Sequence, residues 1–287
     1  MNVAVIGAGR VGTAVAVLLR QVGHTIVGVT GRSATRDRVA RFLPGVPLLG
    51  ADEAASLADL VVLATPDDLL APTVIDLVDA SVLHPGAWVA HLSGATGLDV
   101  LTPASAAGAR RLAIHPLQTF PDVERALAEL PGSTVAVTAD DERGFELGES
   151  LARDLGAEPF RLADALRPLY HAAAVFASND VVAISGIAAR LFAVAGIPDP
   201  ASAMHPLQRA TIANVGRLGP GAALTGPAVR GDAGTVAKNL QALEVHAPDT
   251  IAAYVVLCRA ALDLAVDAGR LDPERRASVD EVLAHWS

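Results

Sequence analysis

The chain has 287 residues, 52% apolar and 18% charged, with a formal net charge of −9. That length suits one large domain or two ordinary ones around sizeable cores and excludes a disordered chain, while the acidic balance and scattered arginines exclude a nucleic-acid partner. A lone cysteine, Cys258, excludes a disulfide framework or a cysteine-based metal site within one chain, and the lack of about 18 uninterrupted apolar residues or of a leader pattern leads us to expect a cytoplasmic protein that does not enter a membrane.

Asn2–Ile6 is a short apolar run stopped by glycine. The opening VAVIGAGRVGTAV fits G-x-G-x-x-G at Gly7, Gly9 and Gly12, after a strand and at the start of a helix. In that setting Gly7 permits the tight turn, Gly9 lets a pyrophosphate approach the backbone, and Gly12 lets helix and strand pack closely. Arg10 and Val11 stand at the helix start, where unpaired N–H groups and the helix dipole favour phosphate. The second strand, His24–Val29, runs into VTGRSATRDR. An NAD site usually has Asp or Glu there for the ribose hydroxyls. Thr30, Arg32 and Ser33 stand in its place, with Arg36 one turn on. A guanidinium and hydroxyls suit a 2′-phosphate, so the expected cofactor is NADP in preference to NAD.

The third strand, Leu60–Ala64, is continuously apolar, as in a sheet covered on both faces. It ends at Ala64, Thr65 and Pro66, which should lie against the ribose or nicotinamide side of the cofactor. Asp67 and Asp68 read as N-caps of the next helix. Strands at Trp88–Leu92 and Arg111–Ile114 end in HLSG and HPLQTF. Ser93 and His115 at those tips can donate to a reacting carbonyl oxygen; each can equally be a turn-former satisfied by backbone. Thr134–Thr138 is a further strand. Helical stretches such as Leu69–Ala80 and Glu142–Leu155 separate the strands, so the expected fold class is α/β with a doubly wound, mostly parallel sheet of Rossmann type.

After Leu162 the strand patterns stop. Pro168–Ala195 reads as one helix of about 40 Å, followed by helices over Pro200–Arg217, Ala233–Leu243, Asp249–Ala268 and Pro273–Trp286. The expected division is a nucleotide-binding domain over 1–162 and an all-helical substrate and dimerisation domain over 163–287. Tyr170 and His171 lie in the first turn of the long helix. Ser178 shares a face with His171, and Asn179 is adjacent. His171 is the candidate acid, because imidazole titrates near neutrality, with Asn179 beside it; helix packing is the alternative for both. Lys238, the single lysine, is given no role. The histidines lack metal-ligand spacing, so no metal is expected.

The glycine fingerprint taken with VTGRS, LATPD, HLSG, HPLQTF, YHAAAVFASND and LTGPAVRGD resembles a family of Rossmann-like proteins whose C-terminal half is a domain of unknown function. The resemblance covers nearly the whole chain. That family is similar in organisation to pyrroline-5-carboxylate reductase and ketopantoate reductase. The resemblance implies an NADP-dependent oxidoreductase acting on a small 2-oxo or imino carboxylate, ketopantoate first and a cyclic imine second, and a homodimer formed through the helical domain. In pyrroline-carboxylate reductases a Ser-Pro-Gly-Gly-Thr-Thr loop grips the substrate carboxylate. GDAGTVAKNLQALE has the same shape, which makes Arg230, Gly234 and Thr235 the expected substrate-binding residues. Gly231-Asp232 replaces Ser-Pro, however, and Asp232, a poor neighbour for an anion, is open to capping the helix or orienting Arg230 instead. Rival readings are an NADP-binding sensor without turnover and a reductase of another cofactor such as a deazaflavin.

Overall fold

The computed structural model describes residues 1–32 and 35–286. Seven strands form one sheet: β1 Asn2–Ile6, β2 Thr25–Val29, β3 Leu60–Leu63, β4 Trp88–His91, β5 Arg110–Leu117, β6 Thr134–Ala139 and β7 Glu158–Arg161. Their order is β2-β1-β3-β4-β5-β6-β7. All neighbours are parallel except β5 and β6, which are antiparallel. The chain leaves β1 on one side to form β2 and returns on the other to form β3. That reversal opens a crevice at the carboxyl ends of β1 and β3.

The helices of this part are α1 Arg10–Gln21, α2 Thr35–Phe42, α3 Ala51–Ser56, α4 Leu70–Asp79, α5 Thr102–Ala106, α6 Val123–Glu129, α7 Glu142–Asp154 and α8 Arg167–Ala177. Alternation along the strands feeds two cores. Val3 and Val5 of β1 join the layer that also holds Leu19 and Leu151, whereas Ala4 and Ile6 join the layer with Val74 and Leu101. Strand β7 was not foreseen: EPFR has a proline and two charges, and its burial is incomplete, as suits an edge strand.

The chain divides into compact units at Met1–Asn179 and Asp180–Ser287. The first unit therefore extends beyond residue 162, where the strand patterns end. The reason is α8, whose first residue, Arg167, is fully buried and bonds to loops of the sheet. The single long helix expected from Pro168 to Ala195 is instead two, α8 and α9 Asn179–Val194. Ser178 leaves the helical region at φ −130°, ψ −70°. Ser-Asn-Asp is the place for such a break, since these side chains compete for backbone groups. The apolar stretch 164–194 is long enough by length and composition to cross a membrane, with a mean hydropathy of 1.6. Broken into helices of 11 and 16 residues, neither arm reaches the roughly 20 residues that a bilayer requires.

The second unit contains most of α9, then α10 Pro200–Leu218, α11 Pro220–Ala223, α12 Ala233–His246, α13 Ile251–Asp267 and α14 Pro273–Ala284. Leu240, Val255, Leu262, Val279 and Leu283 form its core. By contrast, α9 and α10 bury none of their residues.

At the start of α1 the packing is tight. A Cβ added at Gly12 would run into the Gly7 carbonyl oxygen and come within 2.9 Å of the Ala64 Cβ. Overfilling such a contact costs about 1–3 kcal/mol. Gly12→Ala should lose that much in urea denaturation; full retention of stability would show that the strand–helix spacing has slack.

Candidate active site

The turn between β1 and α1 is built to stay open toward a ligand. Gly7 has φ +99°, and a Cβ there would meet the Ala64 carbonyl. Its N–H donates to Thr30 Oγ1 at 3.0 Å, and the Ala8 N–H donates to the Thr30 carbonyl at 2.7 Å. Thr30 thus orders the glycine turn from the end of β2. The Arg38 guanidinium donates to the Ala8 carbonyl at 2.9 Å. Gly9 caps α1 without a side-chain hydrogen bond, so the helix's first N–H groups are not consumed by a cap. Arg10, Arg32 and Arg36 are exposed. Ser33 lies outside the described residues.

A cleft of about 190 Å³ follows at the strand tips, where Val11, Ala64, Thr65, Ser93 and His115 line it together with Phe120. Thr65 Oγ1 is buried there with no partner among the described residues. An orphaned buried hydroxyl of this kind calls for a ligand group. Pro66 precedes a short 3-10 turn, Asp67–Leu69, with no side-chain cap among the described residues. Asp67 is not the expected N-cap. Its carboxylate accepts from Ser93 Oγ at 2.7 Å and from Thr96 Oγ1 at 3.3 Å.

That arrangement also decides Ser93. Its hydroxyl gives its proton to Asp67 and accepts the Thr96 N–H at 3.0 Å. It is the turn-former of the two readings, and its proton is already committed. His91 sits behind it, buried. The Ser93 N–H donates to His91 Nδ1, and His91 Nε2 faces the Gly97 carbonyl at 3.2 Å. This pattern needs the neutral ring with its proton on Nε2.

Arg167 is the residue that sequence reasoning missed. Its Nε donates to the Thr96 carbonyl at 2.6 Å, one Nη to Thr138 Oγ1 at 3.0 Å and the other to the Ser93 carbonyl. One buried cation therefore ties the loop after β4 to β6 and to α8. Burial pulls its pKa down while Asp164, Tyr170 and Asp67 push it up; a guanidinium stays charged regardless. The only signal available was an arginine at the head of an apolar helix.

His115 on β5 hydrogen-bonds through Nδ1 to the Tyr170 hydroxyl at 2.8 Å, with the rings edge-on at 5.5 Å. Burial, then Arg167 and His171, lower its pKa to about 4. Burial and Arg167 likewise bring His91 to about 4, and burial raises Tyr170 to about 12. All of these groups are neutral near pH 7. His171 lies 6.1 Å from His115, ring to ring, and its buried Nδ1 has no partner among the described residues. His115, His171 and Tyr170 line a second cleft of about 730 Å³ that reaches Ser178 and Asn179. The structure therefore brings His115, His171 and Asn179 to one cavity, with His115 also walling the smaller cleft.

In the helical unit, Arg230 is exposed and its backbone carbonyl accepts from Arg275. Thr235 differs from expectation. Both its N–H, at 3.0 Å, and its hydroxyl, at 2.7 Å, donate to the Asp232 carboxylate. Asp232 is the N-cap of α12. Gly234 is exposed, with only Asp232 near the place of a Cβ.

Residues 1–116 match the model of a Rossmann-like domain, and residues 133–261 match that of a domain of unknown function, DUF2520. The chain carries the one followed by the other. No curated protein matches it in sequence. Its fold is similar to that of a candidate NADP oxidoreductase from Bacteroides fragilis, at 23% identity and a TM-score of 0.77, covering 91% of this chain and 98% of that one. A protein from Thermotoga maritima shares 23% identity with a TM-score of 0.73, over 93% of this chain and 100% of the other. Pyrroline carboxylate reductase of Plasmodium falciparum, solved with NADP bound, shares 11% identity with a TM-score of 0.59, over 97% and 98%. At such identities the likeness is one of fold.

Gly94 makes room for the two imidazoles. A Cβ there would fall 2.6 Å from His171 Nδ1 and 2.8 Å from His115 Nε2. Gly94→Ala should displace both rings. The expected result is a loss of about a hundredfold in kcat/KM, the scale of a misplaced proton donor, with NADPH binding nearly unchanged by fluorescence titration. Undiminished turnover would mean that neither ring nitrogen works from its present position.

Proposed function

We propose that this protein is an NADP-dependent oxidoreductase that reduces a small molecule bearing a C=O or C=N bond, with His115 presenting the proton. The observation that carries the reading is His115's position in the wall shared by the strand-tip cleft and the larger cleft. A group there can serve a substrate in one cleft while the cofactor reaches it from the other.

The residues fit the cofactor. The Gly7–Gly12 turn and the uncapped start of α1 suit a pyrophosphate. Arg32 and Arg36 suit a 2′-phosphate, with no acidic residue at the end of β2. Ala64, Thr65 and Pro66 would flank the ribose and nicotinamide, with Thr65 Oγ1 gaining a partner. When bound, NADPH supplies the hydride.

The chain supplies the proton. When the Tyr170 hydroxyl donates to His115 Nδ1, Nε2 carries the remaining imidazole proton. Nε2 can then donate to a carbonyl oxygen. As negative charge develops on that oxygen, the Nε2 proton moves to it and the Tyr170 proton moves to Nδ1. Imidazole stays neutral throughout, and the starting tautomer returns when Nε2 takes a proton from solvent and the Nδ1 proton goes back to the Tyr170 phenolate. Arg167 stabilises the transient phenolate by its charge. His171 and Asn179 would orient the substrate from α8 and the start of α9.

A homodimer is part of the proposal. α9 and α10 bury nothing, and they expose Val182 at 70%, Leu207 at 62% and Ile212 at 58%. A second copy of the helical unit would cover them.

The test is NADPH oxidation, followed by absorbance of the reduced nicotinamide, with small ketones, 2-oxo acids including ketopantoate, and cyclic imines. His115→Gln should lower kcat by about a hundredfold and Tyr170→Phe by about tenfold. Arg32→Glu should weaken NADPH but not NADH. Tight NADPH binding without oxidation by any of these compounds would favour a sensing protein. Full activity of His115→Gln would remove the proposed donor.

A further inference from the structure

The larger cleft is lined by uncharged residue types and two histidines. Among the described residues none of those lining it is Lys, Arg, Asp or Glu. Its polar groups are His115, Tyr170, His171, Gln118, Thr119 and the Ser178–Asn179 pair, and its other walls are Leu117, Phe120 and the alanines and valine of α8. The histidine at its inner end is held neutral, with its pKa near 4. The nearest guanidinium, Arg167, spends its donors on the Ser93 and Thr96 carbonyls and the Thr138 hydroxyl.

In the helical unit, the helix start that would attract an anion already holds one. Asp232 fills the N-terminus of α12 and takes both donors of Thr235. Those bonds, then the charges of Arg230 and Lys238, keep its carboxyl below the usual range. Its own carboxylate stands where an external one would bind.

We infer that the substrate is an uncharged carbonyl compound with an apolar substituent, not a carboxylate and not an iminium ion. The inference rests on the reductase reading above and narrows it. A carboxylate in this cleft would lose its hydration without gaining a guanidinium or ammonium partner from its lining, and an iminium would find no carboxylate there, since Asp67 lines the strand-tip cleft and takes the Ser93 and Thr96 hydroxyls. A neutral ketone or aldehyde needs only one donor for its oxygen, which His115 Nε2 supplies, and an apolar wall for the rest. Reduction adds the hydride to the carbonyl carbon and the proton to its oxygen, giving an alcohol and NADP⁺.

The test compares a branched 2-oxo acid with its primary amide and methyl ester, which match it in size but carry no charge. With NADPH in excess, kcat/KM for the amide and the ester should each exceed that for the acid by about a hundredfold or more, after division by their relative rates with borohydride in solution. Ala177→Arg, which adds a cation at an exposed residue of the cleft wall, should narrow the gap at least tenfold. An acid preferred over its amide would overturn the inference. Failure of the reductase reading shows separately, as no NADPH oxidation by any of the three compounds. Binding then decides: amide-induced NMR shifts at His171 and Asn179 without acid-induced ones support an uncharged ligand. Shifts with the acid, or with neither compound, overturn it.

Discussion

The tip of the sheet depends on the buried guanidinium of Arg167. It reaches the Ser93 and Thr96 carbonyls and the Thr138 hydroxyl, and so fixes a loop, a strand and a helix at one point. Stripping hydration from a cation is costly unless its donors are satisfied. Here carbonyl and hydroxyl oxygens do that, with no carboxylate in direct contact among the described residues, so the charge is solvated but not cancelled. Its field reaches outward. It helps to lower His91 and His115 and opposes the rise of Tyr170. A single residue thereby holds the HLSG loop and, second to burial, favours the neutral form of the two histidines beside it.

The consequence for chemistry is a site of neutral hydrogen bonds near a fixed positive charge. A reduced carbonyl passes through a state with negative charge growing on oxygen. Preorganised donors and a nearby cation favour that state over the neutral ground state. The neighbouring polar groups stay in place because each is already bonded. Ser93 is held between Asp67 and the Thr96 N–H, His91 between the Ser93 N–H and the Gly97 carbonyl. Two of the three buried side-chain atoms left unsatisfied among the described residues, Thr65 Oγ1 and His171 Nδ1, belong to residues that line the two clefts; the third, His24 Nδ1, does not.

Much of the Rossmann-like half was legible because its signals are local. A strand, a glycine turn and a helix follow one another in sequence, and the backbone angle of Gly7 and the crowding at Gly12 are direct consequences. The candidate donors were harder to rank. His115, Ser93 and His171 are equivalent as polar residues near an element end, and only long-range pairing separates them. Ser93 is consumed by Asp67, far away in sequence, and His115 acquires Tyr170 from a helix that follows β7. Arg167 was invisible for the same reason, since its partners come from three separate segments. The surroundings of Thr235 are set at shorter range. Asp232, a poor neighbour for an anion, was open to capping the helix or orienting Arg230, and the structure has it as the cap, three residues before the threonine whose donors it takes.

The central claim is that burial and Arg167 keep His115 neutral, with Nδ1 accepting from Tyr170. A ¹⁵N NMR titration of the histidine side chains measures this directly. A ring whose folded pKa is depressed binds no proton as pH falls through the ordinary histidine range, and charges only toward about pH 4. The account predicts that His115 stays neutral from pH 8 to about pH 5, with its proton on Nε2 and an unprotonated Nδ1 shift. A midpoint near the ordinary histidine value of about 6.5, or a proton resident on Nδ1, would contradict it.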